Sequence, residues 1–209
     1  MDPLQPLDTT QLIALAAALG WASGLRLYAV LAITGLAGYA GWVDLPAGLE
    51  VLQHPAMLVA SGFMLFVEFF ADKIPGLDSL WDLVHTVVRI PAGAALAAAV
   101  FGADHATAAT VAALLGGTLA ATSHAAKATT RAAANTSPEP LSNVGLSLAG
   151  DLAVPSMLWL AWEHPVAAIA AVSLGFVAML LLIWLLAKFL RRVLARLRMM
   201  FGGTSPAGV

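Results

Sequence analysis

Charged side chains recur at helical spacing inside apolar stretches of this chain. Glu68 and Asp72 are four apart, hence on one face of a helix. Asp78, Asp82, His85 and Arg89 follow at steps of 4, 3 and 4, again on one face. His124, Lys127 and Arg131 share another face, with Ser123 beside them. Arg26 and Asp151 each stand deep in an apolar run. Pro91 and Pro155 interrupt helical hydrogen bonding and leave carbonyls free to coordinate.

Three chemistries fit this pattern. Grouped carboxylates suit hard cations or carry protons, and the set names no particular metal. In that reading Glu68, Asp72, Asp78, Asp82 and Asp151 are ligands or carriers. Arg26, Lys127 and Arg131 supply counter-charge, Arg89 belongs to the same candidate set, and His85 and His124 carry protons near neutral pH. A second reading reverses the roles: Arg26, Lys127 and Arg131 bind a phosphate or carboxylate, and the acids balance them. A third is structural. Buried ion pairs, such as Arg26 with Glu68 or Asp72, fix helix register, and Lys73, Asp78 and Arg131 snorkel to the interface. The expectation carried forward is a cation or proton moving past Glu68, Asp72 and Asp151. His54 and His164 precede prolines and are expected as caps.

The elements that hold these groups must be membrane helices. Of 209 residues, 60% are apolar and 11% charged. Soluble domains average about 45–50% and about 25%. Mean hydropathy is +0.87. A nucleic-acid-binding domain and an ordinary cytosolic enzyme are excluded. The net charge of −2 points to no partner. Cysteine is absent, so there are no disulfides and no thiolate sites.

Six spans of about 20 or more residues are expected, at 9–38, 55–74, 77–101, 106–134, 141–162 and 165–189. Turn-forming residues separate them. The expected fold is all-α: one transmembrane domain over 1–189, then a basic cytoplasmic tail at 190–209. Lys188, Arg191, Arg192, Arg196 and Arg198 belong inside by the positive-inside rule. Counting back six spans puts both termini in the cytoplasm. The links then outside carry Asp44, Glu50, Asp104 and Glu163, and no lysine or arginine. The first stretch lacks the basic start of a signal peptide and is expected to stay in the protein.

Two halves, 9–101 and 106–189, show a weak repeat. Leu19-Gly20 with Ser23 and Arg26 matches Leu115-Gly116 with Ser123 and Lys127, and an acid precedes a proline in each half. Three spans per half would make the repeat inverted, as in secondary transporters. Any two Ala- and Gly-rich segments also align by composition alone. The segment Gly20–Gly24 either lets helices approach closely or marks a helix break. No Walker loop, dinucleotide fingerprint, zinc motif or nucleophile elbow is present, so neither catalysis nor a cofactor is expected. The expected partners are membrane lipid and a small ion or polar solute. The little volume that six short helices enclose leaves room for a homodimer. A non-transport scaffold acting through its spans or tail is the remaining alternative.

The segments Gly20–Arg26, Glu68–Pro75 and Ser123–Lys127 resemble the bacterial integral-membrane family DUF4126, a domain of unknown function. The resemblance runs from Leu12 to Ala170 and implies a multi-pass inner-membrane protein. Glu68-x-x-x-Asp72-Lys73 is also similar to the E-x-G-D-K-[TS] motif of manganese and calcium transporters built from two inverted three-span halves. Here one extra residue separates the acids, Ile74 replaces the hydroxyl residue, and the second half keeps only Gly150-Asp151. That similarity serves as an analogy for architecture.

Overall fold

The structure is a computed structural model that describes residues 7–74, 76–136 and 140–201. The tail beyond 201, Pro75 and the link residues 137–139 lie outside the described residues. Six α-helices follow in order: α1 (Thr9–Tyr39), α2 (Pro55–Ala71), α3 (Leu77–Phe101), α4 (Ala106–Ala134), α5 (Pro140–Glu163) and α6 (Pro165–Phe201). A short 3-10 helix, Ala47–Gln53, meets α2 at 70°. Five helices are long and apolar enough to cross a membrane, and there are six candidate spans if that bent pair counts as one. The chain is an all-α polytopic membrane protein. The last helix runs through the expected boundary at 189 to Phe201.

Local sequence explains the ends. Asp8 and Gln11 form a reciprocal capping box at the start of α1. Pro55 opens α2, and His54 Nδ1 accepts from the Ala56 N–H at 3.2 Å, the expected cap. Gly76, with φ +87°, turns the chain into α3. The polar face of α3 turns inward and its apolar face outward. On α3, Asp78, Asp82, His85 and Arg89 are buried while Leu80, Leu83, Val84 and Val87 are exposed. That inversion is what a lipid solvent requires.

The path of α1 departs from a simple crossing. Arg26 has φ −148° and ψ 87°, extended backbone between two helical stretches, 9–25 and 27–39. Gly20 packs level with Gly93 of α3 and Gly116 of α4. A straight α1 would carry Gly35 about 22 Å below that level, while Ala99 sits about 9 Å above it. Yet Gly35 packs on the Leu52 carbonyl and Gly48 on the Ala99 carbonyl. Residues 48 to 52 reach across at most about 14 Å. The second half of α1 must therefore turn back, and it runs antiparallel to α2, with Ala29 and Ile33 facing Gly62, Leu65 and Phe66.

The start of α1, the 3-10 helix, the α3–α4 link and the α5–α6 link thus share one end of the bundle, here called upper. The α2–α3 and α4–α5 links and the end of α6 lie at the lower end. The observed path differs from six full crossings with both termini on one side. Helices α2 to α6 run between the ends, α1 returns to its own, and the start of α1 lies opposite the end of α6. Length and hydropathy alone hide the turn, because both halves of α1 are equally apolar.

The two proposed halves compare as follows. The first stretch of α1 runs parallel to α4, whereas leading helices of inverted halves run antiparallel. The pairs α2 and α5, and α3 and α6, do run in opposite directions.

Candidate functional site: an ion-paired cluster under the broken helix

The descending half of α1 reaches Arg26 by packing against α4 without side chains between them. A Cβ on Gly20 would stand 2.6 Å from the Gly116 Cα, and one on Gly24 would strike Ser123 Oγ and the Ala120 carbonyl. Of the two alternatives for the Gly20–Gly24 segment, close approach is the one found; the segment stays helical and the break falls two residues later, at Arg26. Ser123 Oγ fixes the contact by donating to the Trp21 carbonyl at 2.7 Å. The break frees the Leu25 carbonyl, and Lys127 Nζ donates to it at 3.0 Å.

Around Arg26 the charges of five helices converge. Arg26 Nη2 pairs with Asp72 Oδ2 at 3.2 Å and Asp151 Oδ1 at 2.9 Å. It also donates to the Ser147 carbonyl and hydroxyl at 3.0 and 2.8 Å. Asp72 further takes Lys127 at 3.0 Å and Arg131 at 2.9 Å. Asp82 takes Arg89 at 2.7 Å, Arg131 at 3.1 Å and Lys127 at 3.2 Å. Glu68 binds Arg89 at 2.6 Å. Arg26, Arg89, Glu68 and Asp72 are each at most 1% exposed. Lys73, expected to snorkel, instead bridges Asp151 and Ser147 at 3.3 Å over the Phe69 ring.

The structure brings together Arg26, Glu68, Asp72, Asp82, Arg89, Lys127 and Asp151 of the expected residues. The anticipated Arg26–Asp72 pair forms, while Glu68 goes to Arg89. Asp78 stays apart: its Oδ1 accepts from the N–H groups of Gly76 and Ser79 at 2.9 and 2.6 Å, capping α3. His85 Nδ1 donates to the Trp81 carbonyl at 2.9 Å, and its Nε2 lies 3.2 Å from the Tyr28 hydroxyl. The Thr86 hydroxyl donates to the Asp82 carbonyl, so it accepts from His124 Nε2 at 2.7 Å. His124 Nδ1 then accepts from Arg89 Nη1 at 3.3 Å. Among the described residues no group of three or more His, Asp or Glu is set to hold a metal ion.

Beside the cluster, between α1, α4, α5 and α6, lies a cavity of about 270 Å³. Its charged lining is Arg26, Lys127, Arg131 and Asp72. Apolar walls come from Leu25, Ala126, Ala153, Met179 and Leu182. Asn135 and Asn143, joined at 2.6 Å, lead toward the lower end. Sequence reasoning missed Trp21, Ser147 and the bridging role of Lys73. Ser147 lies one helical turn before Asp151, a signal of shared face but too common to single out.

A family model described as a domain of unknown function (DUF4126) matches residues 13–189. The chain belongs to that family. No curated protein and no solved structure matches it. The three segments on which the DUF4126 resemblance rests are the descending half of α1 down to its break, the end of α2 and the middle of α4. They come from distant parts of the chain and meet at the ion-paired cluster.

Proposed function

We propose that this DUF4126 protein is a small transporter or channel of the inner (plasma) membrane that moves an ionic solute through the cluster. One observation carries the reading: α1 enters the bundle, breaks at Arg26 inside the paired charges, and turns back. Irregular backbone at membrane depth is tolerated only where protein buries it or a cavity adjoins it. Discontinuous helices with the site at the break are how secondary transporters hold ions and solutes. Stability gives no reason for the cluster, because replacing buried ion pairs by packed apolar residues is often neutral or stabilising.

Every acid of the cluster already carries a lysine or arginine. A bare cation would have to displace one of them. The pairing therefore favours the reading in which the cations face the solute and the acids balance them.

The basic end of α6 belongs in the cytoplasm. The upper end, with Asp8, Asp44, Glu50, Asp104 and Glu163 and no lysine or arginine, then faces outward. In this orientation the start of α1 is outside, and the cluster lies in the cytoplasmic half of the bundle. The Cys-free chain makes this directly testable. Single cysteines at Thr9 and Asp104 are expected to react with an impermeant thiol reagent from outside, and cysteines at Ser147 and Thr130 from inside. In liposomes, currents or swelling under acetate, phosphate, chloride, sodium and potassium gradients test the activity itself. Silence under all five gradients, with Ser147→Cys and Thr130→Cys protected from both sides, overturns the reading.

A further inference from the structure

Arg26 satisfies its acids and Ser147 through Nη2 alone. Nε and Nη1 have no partner, although the residue is 1% exposed. One turn earlier, the Trp21 indole Nε1 also has none, at 7% exposure. Both residues line the 270 Å³ cavity. Glycines pack beside both donors: a Cβ on Gly150 would sit 3.4 Å from Arg26 Nε, and one on Gly175 3.9 Å from Trp21 Nε1. Guanidinium and indole N–H groups donate and never accept. Leaving a buried donor unmet costs about 1–3 kcal/mol, more when it is charged.

The charge around the cavity has the same sense. Arg26, Lys127 and Arg131 line it against Asp72 alone, and the paired cluster as a whole sets five cations (Arg26, Lys73, Arg89, Lys127 and Arg131) against four acids (Glu68, Asp72, Asp82 and Asp151), a net +1. Trp81 and Trp162 also have unpartnered indole N–H groups, but neither borders this cavity. The volume equals about nine waters at about 30 Å³ each, and most of the wall is aliphatic.

We propose that the cavity binds an oxyanion, a carboxylate or phosphate carried on a small apolar body, held by the Arg26 guanidinium and by Trp21 Nε1. The inference names the solute class of the transport site and rests on that reading. Two sources supply the same chemistry: a soluble organic anion, or the phosphate of a lipid headgroup.

The full chain in uncharged detergent is titrated with butyrate, with inorganic phosphate and with chloride at equal ionic strength, reading the melting temperature. A parallel arm compares phosphatidylglycerol with phosphatidylcholine nanodiscs. Butyrate or phosphate is expected to stabilise saturably where chloride does not. Trp21→Phe keeps an aromatic side chain and every charge but removes the N–H, and is expected to weaken that binding about tenfold, the scale of one lost charge-assisted hydrogen bond. Gly150→Ala, which brings a methyl against Arg26 Nε, is expected to weaken it as well. Stabilisation by phosphatidylglycerol alone, lost in Trp21→Phe, assigns the oxyanion to a headgroup. No stabilisation in either arm, or binding by Trp21→Phe equal to that of the native chain, overturns the proposal. Saturable binding without flux of the same anion in liposomes keeps the site and overturns the transport reading. Sodium or potassium flux without anion binding does the reverse.

Discussion

The upper and lower halves of this bundle solve burial in opposite ways. In the upper half, Leu15, Leu19, Val30, Leu49, Leu52, Leu96 and Val100 form one apolar core around the turned-back α1. Among the described residues the buried acids and arginines all lie below it. In the lower half the core is arginine, lysine and carboxylate, joined across helices by contacts of 2.6 to 3.3 Å. The upper half packs by shape, and its small residues set the spacing of helices. The lower half packs by charge, and each group there is tolerable only with its partner. In the proposed orientation, the apolar core is the outer half of the bundle and the charged cluster the inner half.

The comparison breaks most readily at Arg89. Arg89→Leu strands Glu68, which is 0% exposed, and is expected to destabilise the fold by about 3–5 kcal/mol. Unfolding by denaturing detergent in mixed micelles measures the loss. Adding Glu68→Leu is expected to restore part of it, since an apolar pair replaces a lone charge; no recovery would mean that Glu68 is not the group left stranded. Leu49→Ala, in the upper core at 1% exposure, is expected to cost about 2–5 kcal/mol. The same titration reads it, and a second apolar truncation is not expected to rescue it. Gly20→Ala wedges α1 from α4 and is expected to cost about 1–3 kcal/mol. Cross-linking efficiency of cysteines placed at Ala17 and Ala112 is expected to fall with it. His54→Ala removes only a cap and is expected to cost about 0.5–2 kcal/mol, seen as faster amide exchange at the start of α2. Lys188→Gln, near Trp184 on the exposed end of α6, is expected to change thermal stability by less than about 1 kcal/mol.

Much of the fold was legible because lipid imposes simple rules. Apolar stretches between turn-forming residues marked the helices, and α3 and α4 begin and end where turn chemistry sets them. The steps of 4, 3 and 4 from Asp78 to Arg89 identified the buried face of α3. Within that face the roles were not legible. Asp78 binds the first-turn N–H groups of its own helix while Asp82, one turn on, joins α4 through Lys127 and Arg131. Spacing on one helix says which residues share a side and nothing about what faces them. The bend of α1 was hidden for a related reason. Arg26 is neither glycine nor proline, and its extended backbone is held by partners on α2 and α5.

By itself the sequence determined that this chain dissolves in lipid as a set of apolar helices, and that its buried charges need each other. Both follow from transfer free energies that belong to residue types and hold wherever the residue sits. Only the tertiary structure decided that α1 turns back, that each acid meets a cation, and that Arg26 and Trp21 keep donors free beside a cavity. Those outcomes depend on distances between segments far apart in the chain, and such distances exist only after the helices have packed.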